Sequence, residues 1–562
     1  MLRGIGDPLV GLYARTYLVV VASNVAPTLT SHATAMLSDT LVTVGGMGHL
    51  KDLKSITPEQ YHHLLSPGVE WIVRTVGRSA SRETFQNVLQ LYREFSSDSM
   101  VLMHILTFFD GSFYAHAALG MASLIRSATP SSVSLAACYT ALGKQMAVHP
   151  PPEEQRLPLL NEVWKTASKS TDMPSYVKCC GAWLDLVQKY YSEREMYVLL
   201  ASLSTRLQEE YDMGGGAGRE VPDAVLALLE NLISSLIGQS GTFGTAVLTS
   251  EHLLRILDLF KGPKRVLLCT DILTSFRLQP PTNDAVLINT LFDLCRTVHD
   301  SVDRLSAVTD VTHVASLLGG FVEHVDFGRD LEQQLNFYVE CRAVFCNLDQ
   351  LTDKLVQAAA HLCTRTYIIA KGKHSKKTST FAKACLAYCH ITIPSLACPL
   401  RRLELQLLLA QVSLLNVCLP QTDTFLKGAI TTLPELPPFT EVSGRRVHCE
   451  ERLAPLLLNL LSTLVVAPGH PEHGPFYIVQ GLLNAIPRFP WSPEGRAQGR
   501  VYCGMLSLLC TLAQRRLPYH IKDVQSNDEL YSGAEYSREL GESVDGCVGM
   551  VLKHLTQLGE KG

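Results

Sequence analysis

The feature that most constrains this chain is the recurrence, along all 562 residues, of amphipathic segments separated by short breakers. Within each segment, apolar residues recur three and four positions apart, which is the period of an α-helix with one buried face. Gly, Pro, Ser, Asn or Asp residues separate the segments, as at Asp110-Gly111 and Gln279-Pro280-Pro281. The predicted helices span residues 82–95, 112–127, 131–148, 173–190, 193–210, 222–238, 263–277, 282–300, 329–346, 349–370, 377–393, 399–418, 450–467, 475–488 and 495–515.

Two helix starts are marked by capping residues. Asp7 precedes Pro8, which favours an N-cap followed by proline at the first helical position. Ser192 and Glu195 have the S-x-x-E spacing of a capping box in front of the periodic run that begins at Met196. Both patterns predict where a helix begins.

These patterns predict an all-α fold, an α-solenoid of irregular HEAT-like helical hairpins, because no period-2 alternation persists long enough to form a sheet. We expect one continuous array over residues 1–562, with an N-terminal half (1–260) and a C-terminal half (261–562). A compact all-α globule is the alternative, but a single core stops growing at about 250–300 residues, whereas stacked hairpins extend further.

Three segments are predicted to be loops. They are the glycine-rich residues 213–218, which we expect to be mobile, and the segments 433–446 and 488–499.

Composition excludes several classes of protein. The formal net charge is −4 and only 18% of residues are charged, against a usual ~25%, so a general nucleic-acid binder is not expected. With 46% hydrophobic residues, the chain has more apolar surface to cover than usual, either in its own core or against a partner. The sixteen cysteines lack the density of a disulfide framework, which indicates reduced thiols in the cytosol. No segment is expected to span a membrane, because the apolar core near Tyr17 falls short of about 18 residues.

Candidate ligands for a metal are densest at Cys385, Cys389, His390 and Cys398. A zinc site needs four ligands that converge, whereas Cys385 and Cys389 lie on the apolar stripe of a predicted helix. We therefore interpret them as core residues and predict no metal or cofactor. The glycine clusters 45–48 and 214–218 lack the Lys-Ser/Thr that a phosphate loop requires, so they are interpreted as interhelical loops.

The segment from His470 to His473 contains two imidazoles and a carboxylate, but its proline indicates a turn and not the helix of an HExxH metalloprotease. No GxSxG elbow is present. Titratable residues at catalytic spacings are lacking throughout, so the chain is predicted not to be an enzyme.

The strongest charge feature is a run of four lysines, Lys371, Lys373, Lys376 and Lys377, between two apolar helices. A solvated interhelical turn is the favoured explanation. The functional alternatives are a surface for an acidic partner and a surface for anionic lipid headgroups.

Several blocks of sequence carry a resemblance to a known family. Residues 3–10 (RGIGDPLV) and 13–18 (YARTYL) resemble the RGI-x-x-PL and YxRxYL helix of the large solenoid subunits of retromer and Retriever. The blocks that look like the Retriever subunit in particular are residues 299–302 (HDSV), 327–335 (FGRDLEQQL), 337–340 (FYVE), 345–348 (FCNL), 371–372 (KG) with 374–375 (HS), 391–396 (ITIPSL), 470–474 (HPEHG) and 526–528 (SND) with 530–531 (LY).

The resemblance implies a non-enzymatic scaffold of an endosomal recycling complex that returns integral membrane cargo to the cell surface. In the family, this scaffold bridges an arrestin-fold subunit and a small metallophosphoesterase-fold subunit, and it associates with the COMM-domain and coiled-coil proteins of the Commander assembly. The implied location is cytoplasmic and peripheral on endosomes, through these partners. A generic helical-repeat adaptor of another pathway is the alternative. The candidate partner-contact residues are Lys371, Lys373, Lys376, Lys377, His470, Glu472, His473, Asn527 and Asp528.

The resemblance begins at the RGI block, so the chain is expected to lack the family's N-terminal extension and the Pro-Arg motif helix on which the arrestin-fold subunit docks. The last helices of the family are also expected to be missing. The C-terminal half, which in the family curls around the phosphoesterase-fold subunit, is mostly present. We expect helices between about residues 400 and 530 to line the groove for that subunit.

Overall fold

A computed structural model of the chain describes residues 4–25, 31–45, 58–78, 80–211, 220–238, 242–302, 306–442, 445–469, 472–492, 496–514, 516–521, 524–526 and 533–559. These residues form an all-α solenoid of antiparallel helices, as the sequence predicts. The predicted glycine-rich loop at 213–218 lies outside the described residues.

The first fifteen helices are α1 Pro8–Val25, α2 Ser31–Gly45, α3 Pro58–Gly77, α4 Arg82–Phe95, α5 Ser99–Phe108, α6 Ala118–Ser127, α7 Leu135–Val148, α8 Glu153–Ala167, α9 Met173–Tyr190, α10 Glu193–Tyr211, α11 Asp223–Gly238, α12 Thr242–Leu248, α13 Glu251–Leu257, α14 Gly262–Phe276 and α15 Ala285–His299. The remaining ten are α16 Val308–His324, α17 Leu331–Val344, α18 Asp349–Ile369, α19 Lys376–Thr392, α20 Pro399–Leu415, α21 Leu419–Thr432, α22 Glu450–Val466, α23 Tyr477–Ala485, α24 Ala497–Leu512 and α25 Gly533–Gly559.

The two predicted helix starts are confirmed by their hydrogen bonds. Backbone amides of Leu9 and Val10 both donate to Asp7 Oδ1 at 2.9 Å, which satisfies two of the amides left free at the start of α1. Before α10, the Ser192 amide donates to Glu195 Oε2 at 3.1 Å, and the Ser192 hydroxyl donates to the same oxygen. These hydrogen bonds lower the pKa of Glu195, with the hydroxyl contributing most.

Backbone contacts divide the chain into two compact units. The first contains residues 1–279 and 284–297, and the second contains residues 280–283 and 298–562. The predicted boundary between halves lay at residue 260. The single continuous array predicted over residues 1–562 stays a prediction.

Alternate helices pack side by side within each unit. In the first unit, α1, α3, α5, α7, α9 and α11 follow one another in one layer, and a second layer pairs α2 with α4, α6 with α8 and α10 with α13. In the second unit, one layer contains α16, α18, α20, α22, α24 and α25, and the other contains α17, α19, α21 and α23. This two-layer stacking of hairpins is the arrangement of a helical-repeat array, in which each hairpin buries its apolar face against its neighbours.

The expectation that no segment forms a sheet is wrong in two places. Strands β1 (Phe439–Val442) and β2 (Arg445–His448) pair antiparallel, and their hairpin begins within the segment 433–446 that was predicted to be a loop. Strands β3 (Arg516–Ile521) and β4 (Val524–Ser526) form a second hairpin. Strands of three to six residues are too short for alternation to stand out from a loop.

Helix α1 departs from the expectation about membranes. Among the described helices, it is the one that is long and apolar enough, by length and composition, to cross a bilayer. The core helix of a folded domain passes the same test. In the structure, α1 packs against α2 and α3, buries Leu12 and Val19, and donates a hydrogen bond from Tyr13 Oη to the Leu64 carbonyl at 2.9 Å.

Candidate partner-binding surface

Lys371 and Lys373 lie in the connection from α18 to α19, Lys376 and Lys377 are the first two residues of α19, and all four side chains are exposed. We call residues 370–377 the basic turn. Lys377 Nζ lies 3.5 Å from Glu332 Oε1 in α17, while Lys371, Lys373 and Lys376 have no ion-pair partner in the part of the chain that the structure describes. Three exposed cations are therefore available to an anionic partner.

A Schellman motif ends α18 and shapes the basic turn. The Gly372 amide donates to the Tyr367 carbonyl at 3.1 Å, and the Lys371 amide donates to the Ile368 carbonyl at 3.0 Å. Lys371 has φ +50°, a left-handed conformation that usually favours glycine at this position. Ser375 then caps α19 through reciprocal hydrogen bonds with Thr378. Hydrogen bonds thus fix the backbone at both ends of the basic turn.

An open groove of about 660 Å³ lies next to the basic turn, between α17 and α19. Lys376 and Lys377 line one part of it, and Leu335 and Phe381 supply apolar wall. The groove therefore combines cationic and apolar surface with one carboxylate, that of Glu332.

Glu472 and His473 lie just before α23 and are exposed. The His473 ring stacks on Tyr477, with ring centroids 4.7 Å apart, and Lys427 Nζ lies 5.0 Å from the centroid of the same tyrosine. Lys427 Nζ is also 2.8 Å from Asp423 Oδ2, and the hydrogen bond to Asp423 raises the pKa of Lys427. A charged and aromatic cluster thus joins α21 to the start of α23.

A cavity of about 470 Å³ opens beside this cluster, within the second unit. Its wall is mostly apolar and includes Leu426, Leu464, Phe476 and Val479. Glu472 belongs to the lining as well, so one predicted contact residue borders a cavity large enough for a side chain or a short peptide segment.

The predicted residues His470, Asn527 and Asp528 lie outside the described residues. Those that are described fall into two groups on different hairpins. The lysines follow α18, whereas Glu472 and His473 precede α23.

Polar contacts between successive helices hold this surface in place. Arg401 Nε in α20 lies 2.9 Å from Asp353 Oδ1 in α18, and Arg452 Nη2 in α22 lies 2.9 Å from Glu404 Oε1 in α20. Gln411 Nε2 donates to Asn459 Oδ1 at 2.9 Å, again from α20 to α22. Three helices of one layer are therefore fixed in register by side-chain bonds as well as by apolar packing.

Cys385 and Cys389 are buried in the core of the second unit, as predicted from the apolar stripe of α19. Burial raises the pKa of both thiols, because desolvation disfavours the thiolate. The neighbouring thiol of Cys363 has its pKa raised to about 12 for the same reason. Cys398 is exposed, away from these core positions. No cluster of His, Cys, Asp or Glu suited to a metal occurs among the described residues.

The sequence reasoning missed an apolar component of the surface between residues 400 and 530. Five of the exposed large apolar side chains there are Leu408, Phe439, Val447, Val466 and Tyr477. Folded proteins commonly leave single apolar residues on their surface. Periodicity in the sequence therefore could not show that these five are exposed.

Comparison with known proteins decides the family. The family model described as the VPS35L C-terminal domain matches residues 80–562, and a second VPS35L model matches residues 1–63. The chain belongs to the VPS35L family. This result confirms the resemblance to the Retriever scaffold that the sequence blocks indicate.

Three VPS35L-family relatives illustrate the match. The zebrafish and human proteins named VPS35 endosomal protein-sorting factor-like are each 34% identical to the chain, over all of it and over 58% of their own length. The Dictyostelium discoideum relative is 32% identical, over all of the chain and 56% of its own length. The chain therefore spans somewhat more than half the length of these relatives. Their names describe endosomal protein sorting, a non-catalytic kind of function.

Proposed function

We propose that the chain is the scaffold subunit of a retromer-like Retriever complex, which recycles integral membrane cargo from endosomes to the plasma membrane. The observation that carries this proposal is the VPS35L-family match along the whole chain, to relatives named endosomal protein-sorting factors. The stacked hairpins support a scaffold role, because such arrays present extended surfaces on which folded partners seat.

The second unit is the proposed seat of the small metallophosphoesterase-fold subunit. Between residues 400 and 530 it displays exposed apolar side chains next to a partly apolar cavity. A stable interface buries about 800 Å² on each partner and depends on a few apolar or aromatic anchors at its centre. Leu408, Phe439 and Tyr477 are the candidates for such anchors.

Co-expression of the chain with the phosphoesterase-fold subunit, followed by size-exclusion chromatography, tests the proposal. We expect the two proteins to co-elute. A Leu408→Asp/Phe439→Asp variant is expected to weaken the complex by at least about 30-fold, since a charge at a buried anchor costs roughly 2 kcal/mol or more. The control is Leu267→Asp, which changes an exposed leucine in α14 of the first unit.

Separate elution of the unmodified proteins would contradict the scaffold role. Co-elution that survives Leu408→Asp/Phe439→Asp but not Leu267→Asp would instead move the partner site to the first unit.

The arrestin-fold subunit and the COMM-domain and coiled-coil proteins of Commander are the other proposed partners, and the proposed location is cytoplasmic and peripheral on endosomes. Affinity purification of the chain from cells separates this function from the alternative, a generic helical-repeat adaptor. Recovery of endosomal sorting subunits supports the Retriever role, and recovery of unrelated proteins without them supports the adaptor.

A further inference from the structure

Aliphatic side chains protrude next to the lysines of the basic turn. Ile368 and Ile369, in the last turn of α18, are 67% and 57% exposed. Only Ala370 separates them from Lys371, so two large apolar side chains and three lysines without ion-pair partners in the described part of the chain share one hairpin end. Water solvates such an aliphatic pair poorly, so covering it by another phase or molecule would be favourable.

The two helices of the next hairpin, α20 and α21, are joined by a turn of similar construction. We call residues 416–419 the Val417 turn. The Cys418 amide donates to the Ser413 carbonyl and the Val417 amide donates to the Leu414 carbonyl, both at 2.9 Å, which is again a Schellman motif. Val417 has φ +57° and is 70% exposed. A β-branched residue is strongly disfavoured in this conformation, and glycine would adopt it without strain.

The basic turn and the Val417 turn lie on the same edge of the second unit. Helices α18 and α20 pack side by side, and each is followed by an antiparallel partner, α19 and α21. Successive hairpins therefore run in the same direction, and the C-terminal ends of α18 and α20 lie on one side. The edge carries Ile368, Ile369, Leu415, Val417 and Leu419 as exposed aliphatic residues.

The sequence segment that carries the basic turn has no acidic residue of its own, and the ion pair of Lys377 is made with Glu332 of α17. No Asp or Glu occurs from residue 354 to residue 403, a stretch of 50 residues in a chain that contains 53 acidic residues. Cationic side chains with aliphatic stems can lie along an apolar surface while their ammonium groups reach polar groups. This combination of charge and apolarity fits an anionic surface with an apolar layer beneath it.

We propose that the basic turn and the Val417 turn together dock the chain directly on an anionic phospholipid bilayer. The aliphatic side chains enter the interfacial layer, and the lysines bind the phosphate and carboxylate groups of the headgroups. A bilayer is favoured over an acidic protein because the protruding side chains are all aliphatic and sit on separate hairpin ends. A bilayer accepts such side chains at any spacing, whereas protein interfaces favour aromatic and arginine anchors in fitted pockets. This docking does not depend on the partner subunits proposed above.

Co-sedimentation of the full chain with vesicles tests the contribution of the lysines to bilayer binding. We expect binding to vesicles of phosphatidylcholine with phosphatidylserine and none to phosphatidylcholine alone. Lys373→Gln/Lys376→Gln should weaken binding about 30-fold, since each lysine near an anionic surface contributes about fivefold. Lys144→Gln/Lys178→Gln removes two exposed lysines of the first unit and should leave binding unchanged.

The Ile368→Ser/Ile369→Ser variant tests the contribution of the aliphatic side chains. It should bind anionic vesicles at least about tenfold more weakly. Ile391→Ser is the matched control, because Ile391 is 59% exposed near the other end of α19. Val417→Gly should weaken vesicle binding and yet raise the melting temperature, because it relieves the strained backbone. This opposite response separates a docking role from a loss of fold.

Binding to neutral vesicles as strong as to anionic ones would overturn the proposal. So would a lysine variant that loses binding while the Ile368→Ser/Ile369→Ser variant retains it, because that pattern describes a purely electrostatic surface suited to an acidic protein.

Discussion

At the scale of single residues, His104 is a buried imidazole in α5 of the first unit. Its Nε2 lies 3.1 Å from Ser66 Oγ, and its ring stacks on Phe108. Burial lowers the pKa of His104, and Arg74 adds to the shift, while Glu70 and Asp98 act in the opposite direction. The folded protein therefore holds this imidazole neutral at a pH where the unfolded chain would protonate it.

The first prediction concerns this pKa shift. Because the unfolded chain binds the extra proton, the free energy of unfolding should fall as pH drops below the ordinary value of 6.5. We expect His104→Gln, which can keep a hydrogen bond to Ser66, to show a smaller loss of melting temperature between about pH 7.5 and about pH 5.5. The exposed His116→Gln is the control and should behave like the unmodified chain. Equal pH dependence in all three proteins would contradict this role of His104.

At the scale of elements, α7 and α9 approach closely where a glycine faces a tryptophan. Trp183 is fully buried and donates from Nε1 to the Tyr139 carbonyl at 3.0 Å. A Cβ added at Gly143 would lie 2.9 Å from the same Nε1 atom. Neighbouring atoms would have to move, because Trp183 is enclosed on all sides.

Substitution of this glycine should therefore destabilise the first unit. Gly143→Ala is expected to lower the free energy of unfolding by about 1–3 kcal/mol, since overpacking outweighs the gain in helix propensity. Gly120 in α6 has nothing within 4 Å of an added Cβ, so Gly120→Ala should raise stability by about 0.5–1 kcal/mol. Chemical denaturation monitored by tryptophan fluorescence measures both. A stabilised Gly143→Ala variant would show that the helices separate without cost.

Helix boundaries show how far sequence reasoning reaches at this scale. Helices α4 and α9 match the predicted residues 82–95 and 173–190, because each has a polar N-cap and an apolar stripe. Helix α5 was not predicted, since it is apolar on nearly every side and therefore lacks the period of an amphipathic helix. Helix α20 ends at Leu415, before the predicted residue 418, because Val417 takes a left-handed conformation that its sequence does not suggest.

At the scale of the whole molecule, the cysteines report on the packing of both units. All sixteen are free thiols, of which twelve are buried and four are exposed. The exposed thiols are Cys346, Cys398, Cys503 and Cys510. Burial raises the pKa of Cys138 and of Cys180 to about 12, so these thiols stay protonated and unreactive near neutral pH while they are buried.

We expect a chromogenic disulfide reagent to modify these four exposed thiols rapidly and the other twelve only after denaturation. Replacing the four exposed cysteines by serine should abolish the rapid phase and leave the slow phase intact. Rapid reaction of more than four thiols in the unmodified chain would mean that one of the units opens in solution.

The candidate surface was predictable in part. The basic turn was evident because four lysines lie close together in the sequence. The cavity beside Glu472 was not, because its wall comes from several helices that are separated by dozens of residues. Ile368 and Ile369 lie close to the lysines in the sequence, but the sequence cannot distinguish an exposed aliphatic pair from a buried one.

The order of residues alone determined that this chain is a succession of short amphipathic helices, since helical period and capping act over a few neighbouring positions. It also carried the blocks that indicate the family. Only the tertiary structure decided which apolar side chains are left outside, because each helix buries a face chosen by the neighbours it meets. It likewise decided that Lys371 and Val417 occupy strained turns on one edge, since stacking of α18 on α20 brings together residues that are far apart along the chain.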